Sequence, residues 1–386
     1  MNYEKLLGEN ILSFWLDHAL DTENGGIFTS LDREGNIYGR TKSVWFQGRA
    51  LWTFSKAYNL ACKNDRYLKA ADLIYSFLSK CEDSDGRMFF TVTEDGVGIQ
   101  KRRYYFSETF AAIGCAEYYR ASGRDDALLN ARKYFEVAYG CFTGKIKTEP
   151  KFNPDAEKLK ALSPVMIMLS TAQVMRAVDT ERSEYYNGIA KACLDEILNG
   201  GFLTETGLRE TVTADGKISD TPAGRVINPG HSMEAAWFIM LEGLLTDRKE
   251  ALEVGRRIID LSLKVGEDKK HGGLFAFVDA EGKPPVQLEW DMKLWWPQCE
   301  ALIALRLAAM LFESKEYEAK YKELEKYCED NFIDSEYGEW YGYLHYDNTP
   351  STTLKGNIFK GPFHIPRLYM IMTAMDRDGS ILPYAE

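Results

Sequence analysis

The 386-residue chain predicts an all-α fold, an (α/α)6 barrel of six inner and six outer helices with short β-hairpins at one end. Three observations carry that prediction. Six segments have a helical pattern that is apolar on nearly every side. Most are followed by a second helix that is apolar on one face only. A short glycine- and aromatic-containing motif recurs between one helix pair and the next. A helix apolar all round must be buried, whereas a one-faced helix can stand outside it. Alternating the two types around a ring gives two concentric layers, and the whole chain, 1–386, reads as one such domain.

The all-apolar segments begin near Trp45, Tyr105, Leu162, His231, Lys293 and His364, about 60 to 70 residues apart. The one-faced helices include "RYLKAADLIYSF", with Tyr67, Ala70, Ala71, Ile74 and Phe77 on one side. In "KEALEVGRRIIDLSLKV" the expected stripe is Ala251, Val254, Ile258, Leu261 and Val265. A helix over about residues 3–18 becomes the outer partner of the last inner one. The linking motifs are "GGIFTSLDREG", "GRMFFTVTEDG", "GGLFAFVDAEG" and, more loosely, "GFLTETGLRETVTADG" and "GEWYGYLHYDN". Strand formers followed by Asp-Gly, Glu-Gly or Asp-Asn are hairpin chemistry. The third link, "CFTGKIKTEPKFNPDAEKLKALSP", departs from the pattern and reads as a lid-like loop.

Composition narrows the function. Hydrophobic residues make up 45% and charged residues 27%, enough for a large core. The net charge of −11, with no large Lys/Arg cluster, argues against nucleic-acid and membrane-surface binding. No basic segment precedes a long apolar one at the start, and no apolar run is long enough to cross a bilayer. Seven scattered cysteines without a CxxC pair point to reduced thiols in a cytoplasmic protein and away from a zinc site.

In the barrel, the starts of the inner helices converge at one end. Arg49 in "VWFQGRALW", His231 in "NPGHSMEAAW", Glu300 in "LWWPQCEALIAL" and His364 in "FKGPFHIPR" all fall there, each in an apolar and aromatic setting. One buried charge of this kind is usually a structural ion pair, but four from four repeats at one end suggest a site. Each histidine follows a Pro-Gly or Gly-Pro element and opens a helix, where the positive dipole end disfavours imidazolium. Both are therefore expected to be neutral and able to accept a proton. Glu234 lies one turn after His231 on the same face. Two bases across a cavity suit inversion of a carbon next to a carbonyl. One removes the proton, the other returns one from the opposite face, Arg49 stabilises the enolate oxygen, and Glu300 orients a histidine. No metal or redox cofactor is needed.

The segments "KRRYYFSETFA", "RVINPGHSMEAAWFIM", "KLWWPQCEALIAL" and "FKGPFHIPR" together resemble the N-acylglucosamine 2-epimerase family, also called renin-binding proteins in animals. The similarity runs from near Asn10 to near Met375. It implies an (α/α)6 barrel and reversible interconversion of N-acetylglucosamine and N-acetylmannosamine at C2 of the ring-opened sugar. It also implies that His231 and His364 are the catalytic histidines, with Arg49 and Glu300 in the site. Glu108, Glu234, Tyr105 and Trp296 match positions lining the sugar pocket. Some members are activated by ATP without consuming it. No Walker signature is present here, since "GCFTGK" has one residue too few between its glycines. The small-molecule sugar is the expected partner, and a homodimer the expected assembly.

Three alternatives remain at this level. Cellobiose 2-epimerases and mannose (aldose–ketose) isomerases share the barrel. A glycoside hydrolase would need two carboxylates flanking the bond, for which Glu108, Glu234 and Glu300 are the available groups. A sugar- or protein-binding barrel would need no chemistry at all.

Overall fold

A computed structural model describes residues 1–385 except 62, 150–152, 154, 155 and 157. The inner helices are Val44–Leu60, Phe106–Ser122, Leu162–Val178, Pro229–Leu245, Trp295–Leu311 and His364–Asp378. Each packs on the next, and the sixth returns to the first, so the ring closes. The outer helices Asp65–Leu78, Asp125–Phe142, Ser183–Asn199, Lys249–Gly266 and Lys315–Asn331 each pack on the inner helix that precedes them. The sixth outer position is filled from the start of the chain by Tyr3–Leu6, a π-helical turn Leu7–Leu12, and Ser13–His18. The first two lie against His364–Asp378, and the third meets the outer helix Asp65–Leu78. An (α/α)6 barrel is therefore the fold, as the repeat pattern predicts.

Burial follows the two helix types. In Asp65–Leu78, Tyr67, Ala70, Ala71, Ile74 and Phe77 are all buried, as expected. In Lys249–Gly266 the buried face is turned from the expected stripe. Ala251 and Ile258 are buried, but Gly255, Ile259 and Ser262 join them in place of Val254, Leu261 and Val265. Close approach explains this, since a β-carbon on Gly255 would stand 2.4 Å from Met240 of the inner helix. Small residues, not large ones, mark that seam.

The short strands sit at the inner-helix mouths. Lys42–Ser43, Leu159–Ala161, Val226–Ile227 and Lys293–Leu294 each lead directly into, or stop just before, an inner helix. Each pairs with a strand from the next linking motif: Thr91–Val92, Thr211–Thr213, Val278–Asp279 and Tyr343–Leu344 respectively. Three motifs also close their own hairpins, as expected, with Ser30–Leu31 pairing Ile37–Gly39, Thr91–Val92 pairing Gly98–Gln100, and Tyr343–Leu344 pairing Pro350–Thr352. The other two contribute a single strand to the lead-in ladder. Part of the lid-like third link lies outside the described residues. Of the remainder, Thr148, Glu149, Asn153 and Lys158 border the cavity described below.

A repeated clamp holds motif to helix. Gln47 accepts from the Ile27 N–H at 2.9 Å and donates to its carbonyl at 2.8 Å. Gln298 does the same to Leu274, at 2.9 and 3.0 Å. Buried lysines reinforce it, with Lys42 on Asp21 and Lys293 on Asp268, both at 2.7 Å.

The tightest contact in the ring joins the first two inner helices. A β-carbon on Gly48 would lie 2.6 Å from the Phe110 carbonyl carbon, and one on Gly114 would lie 2.6 Å from the Gly48 oxygen. Gly48→Ala should therefore force these helices apart and lower stability by about 1–3 kcal/mol. The midpoint of urea unfolding measures it, and an unchanged midpoint would mean that the crossing is not tight.

Candidate active site

A cavity of about 1110 Å³ opens at the inner-helix mouths. Arg49, Tyr105, His231, Glu234, Trp296 and His364 all line it, as does Arg367, which sequence reasoning did not single out. Local chemistry explains how each histidine arrives there. Asn228 caps its helix by accepting the His231 N–H at 3.1 Å, and Pro229 occupies the first turn, where no donor is needed. Gly230 lets Trp296 close in, since a β-carbon there would stand 2.6 Å from the indole ring. From Pro229 to Gly243 every residue is buried except His231. His364 opens the sixth inner helix, with Pro366 in its first turn.

Both imidazoles lean on one indole. The Trp296 ring centroid is 5.1 Å from His231 and 5.8 Å from His364. The two rings thus share a wall and a cavity. The other three histidines lie elsewhere, His18 at a helix end and His271 and His345 in loops.

The histidines are not alike electrostatically. His364 Nδ1 lies 2.8 Å from Glu300 Oε1. That carboxylate can only accept, so Nδ1 carries the proton and Nε2 holds the lone pair. Burial, then the charges of Arg367 and Arg49, push His364 well below its ordinary value. His231 goes the other way, against the expectation that both are neutral. Its Nδ1 lies 3.0 and 3.1 Å from the two oxygens of Glu210. Burial opposes ionisation, but Glu210, with Glu234 and Glu300 behind it, raises His231 above its ordinary value. A helix dipole is worth about 0.3–1 kcal/mol at a surface, whereas a full opposite charge in hydrogen-bond contact is worth more. Glu210 comes from a linking motif, just before the strand Thr211–Thr213, and nothing in its local sequence marks it.

Behind His364 lies a buried ionic knot. Arg367 Nη2 donates to Glu234 Oε1 at 2.5 Å and to Glu300 Oε1 at 2.7 Å. Trp237 Nε1 donates to Glu300 Oε2 at 2.8 Å. Glu300 is fully buried and reaches the cavity only through His364 and Arg367, both of which line it. Although burial opposes it, Glu300 and Glu234 hold the Arg367 guanidinium above its ordinary value. Glu234, Glu300 and His364 bring donor atoms within 4.8 Å of one another, a spacing a metal could use. Here the Arg367 guanidinium already stands between the two carboxylates as their cation.

Arg49 has no carboxylate in ion-pair contact among the described residues. Its guanidinium lies 4.1 Å from the Phe110 ring centroid and 5.0 Å from that of Phe363. Nε has no hydrogen-bond partner among the described residues, and Nη1 reaches only the Phe359 carbonyl at 3.4 Å. Burial draws it down to about 9, with Glu234 opposing, so it stays charged at neutral pH. A cation held among aromatic rings, facing a cavity and lacking an anion, suits a negative charge that forms there. Tyr105 likewise has a buried hydroxyl without a partner among the described residues.

Glu108 is a correction. It is not in the cavity lining. It is fully buried, and its Oε1 accepts from Arg87 Nε at 2.5 Å and from the Met88 N–H at 3.0 Å. It stands in the second repeat where Gln47 and Gln298 stand in the first and fifth, clamping motif to helix. This second-repeat form of the clamp uses a charge and so pairs with Arg87.

A model of the N-acylglucosamine 2-epimerase (GlcNAc 2-epimerase) family matches residues 26–364. The N-acylglucosamine 2-epimerase of Rattus norvegicus is 32% identical over 380 residues, covering 93% of this chain and 87% of that protein. The cellobiose 2-epimerase of Dictyoglomus turgidum is 24% identical, covering 94% and 95%. Among solved structures, the cellobiose 2-epimerase of Bacillus thermoamylovorans superposes with a TM-score of 0.83 at 21% identity, covering 95% of this chain and 97% of that one. Matched over most of its length by the family model and by a relative above 30% identity, the chain belongs to the N-acylglucosamine 2-epimerase family.

Proposed function

We propose that the chain interconverts N-acetylglucosamine and N-acetylmannosamine, inverting C2 of the ring-opened sugar by a two-histidine proton transfer. The observation that carries this is the pair of imidazoles on one indole, biased toward opposite protonation states. Neutral His364 removes the C2 proton through Nε2. The electrons move onto the C1 oxygen, and the unpaired guanidinium of Arg49 stabilises the enolate. His231, protonated under the influence of Glu210, returns a proton to the opposite face. Glu300 orients His364, and burial, Arg367 and Arg49 keep it neutral. The scheme uses no cofactor. Six buried, unpaired cysteines among the described residues support a reducing compartment, so the reading is of a cytoplasmic enzyme, with a homodimer as its assembly. No helix among the described residues is long and apolar enough to cross a membrane.

Hydrolysis finds less support. It needs two free carboxylates across a bond. Glu234 and Glu300 share one guanidinium, and Glu108 is committed to Arg87.

Incubation with N-acetylmannosamine in D2O, followed by NMR, tests the reaction. Deuterium should enter C2 as the epimer forms, while mannose and cellobiose in parallel should turn over more slowly. Bound sugar with no exchange would make the chain a binder. His231→Asn and His364→Asn should each abolish net epimerisation, and one of them should still exchange C2 from a single epimer. Near-normal turnover in both would end the two-base scheme.

The pH dependence follows from the two shifts. Activity falls on the acid side as His364 becomes charged, well below 6.5, and on the alkaline side as His231 loses its proton, above 6.5. Both directions share the profile, because their proton placements differ in position and not in number. Glu210→Gln removes the group that raises His231, so the alkaline limb should move down and kcat fall about 100-fold. An unmoved limb would dissociate Glu210 from His231. Arg49→Lys should lower kcat with little change in KM, because the enolate forms after binding. A raised KM at full kcat would make Arg49 a binding group only.

A further inference from the structure

After the sixth inner helix the chain turns at Gly379 and folds back as Leu382–Ala385. This turn packs on the third and sixth inner helices. Beside it lies a second chamber of about 240 Å³, lined by the later halves of the first four inner helices and by Tyr384. Ser170 borders both this chamber and the main cavity, so little separates them.

The partition is Trp237. Its Nε1 holds Glu300, and the Arg367 guanidinium lies 5.2 Å from its ring centroid. Tyr384 stands beyond it, with its ring 6.4 Å from Trp237 and 6.2 Å from Trp52. The Tyr384 hydroxyl makes no hydrogen bond among the described residues, so the ring is what the fold uses. Two buried donors nearby, Trp52 Nε1 and Arg367 Nε, have no partner among the described residues. Water admitted here would find them.

We propose that Tyr384 is a positioning residue whose ring stoppers the second end of the barrel and keeps water from the underside of the Glu300–Arg367–His364 network. This rests on the epimerase reading. The charges around the ring are Lys56, whose Nζ lies 5.1 Å from its centroid, with Arg367, Glu300, Glu117 and Glu234. Those around His364 are Glu300, Arg367, Arg49, Glu234 and His231. Among them, Arg367 and Arg49 favour neutral His364, and they act several-fold more strongly through protein than through water. Burial favours the neutral form as well. Water admitted past the ring to the network weakens both effects, so the His364 pKa rises and more alkaline conditions are needed to keep its lone pair free.

The test uses the full chain carrying Tyr384→Ala. Three quantities are read: the pH dependence of kcat/KM for N-acetylmannosamine, the titration of the His364 ring by NMR without substrate, and the thermal midpoint. The His364 signal is assigned by its loss in His364→Asn. The acid limb and the NMR titration should both move up by about one pH unit, and Tyr384→Phe, which keeps the ring, should leave both in place. A lowered thermal midpoint with limb and titration unmoved would overturn the proposal and make Tyr384 merely structural. If the alanine variant does not fold, Tyr384→Leu, too short to span the gap, carries the same test. A wild-type chain without turnover would count against the epimerase reading alone, and the NMR titration would still decide the role of Tyr384.

Discussion

The site depends on one buried cation. Arg367 is 4% exposed and is shared by Glu234 and Glu300. Removing one partner from such a buried arrangement costs about 3–5 kcal/mol, because the remaining charges are left uncompensated. The pairing is asymmetric in its consequences. It fixes Glu300, which fixes the tautomer of His364, and the same positive charge keeps that histidine from taking a second proton. A carboxylate alone beside His364 would have promoted its ionisation. Arg367 absorbs that charge and leaves the orienting hydrogen bond.

His231 is built on the opposite principle. It faces a carboxylate with no intervening cation, and so is pushed toward the charged form. Two chemically identical side chains, each at the start of an inner helix, are separated by their neighbours alone. Environments that drive like groups apart are how a site obtains an acid and a base from the same residue type. The helix N-termini would have made both histidines neutral. The partner carboxylate of one and the partner cation of the other decide the matter.

The barrel supplies this by breaking its own repetition. Gln47, Glu108 and Gln298 occupy the same clamp position in three repeats and are purely architectural. Lys42 with Asp21 and Lys293 with Asp268 repeat a second device. Chemistry enters at positions one turn or less from these, where each repeat carries a different residue. Arg49 follows Gln47 by two positions, and Glu300 follows Gln298 by two. The even scaffold holds the mouths level, and unlike side chains project into one hollow.

By itself, the sequence determined the layering of the helices and most of the cavity wall. Apolar periodicity depends only on which faces must leave water, and that is local information. The histidines, Arg49 and Glu234 were legible because each is a polar group set in such an apolar helix, whereas Trp296 was legible only through the family resemblance. Arg367 was within reach as well, one turn after His364 on the same face, but an arginine there reads as an ordinary surface charge until its two carboxylates are known. Only the tertiary structure decided the remaining features. Glu108 matched a pocket position in sequence and proved to be an architectural clamp, because its role is set by the Met88 backbone. Glu210 lies in a loop, and its pairing with His231 exists only once a strand from one repeat has docked beside the next. Protonation states follow from such long-range neighbours, and charge acts through space without regard to order along the chain.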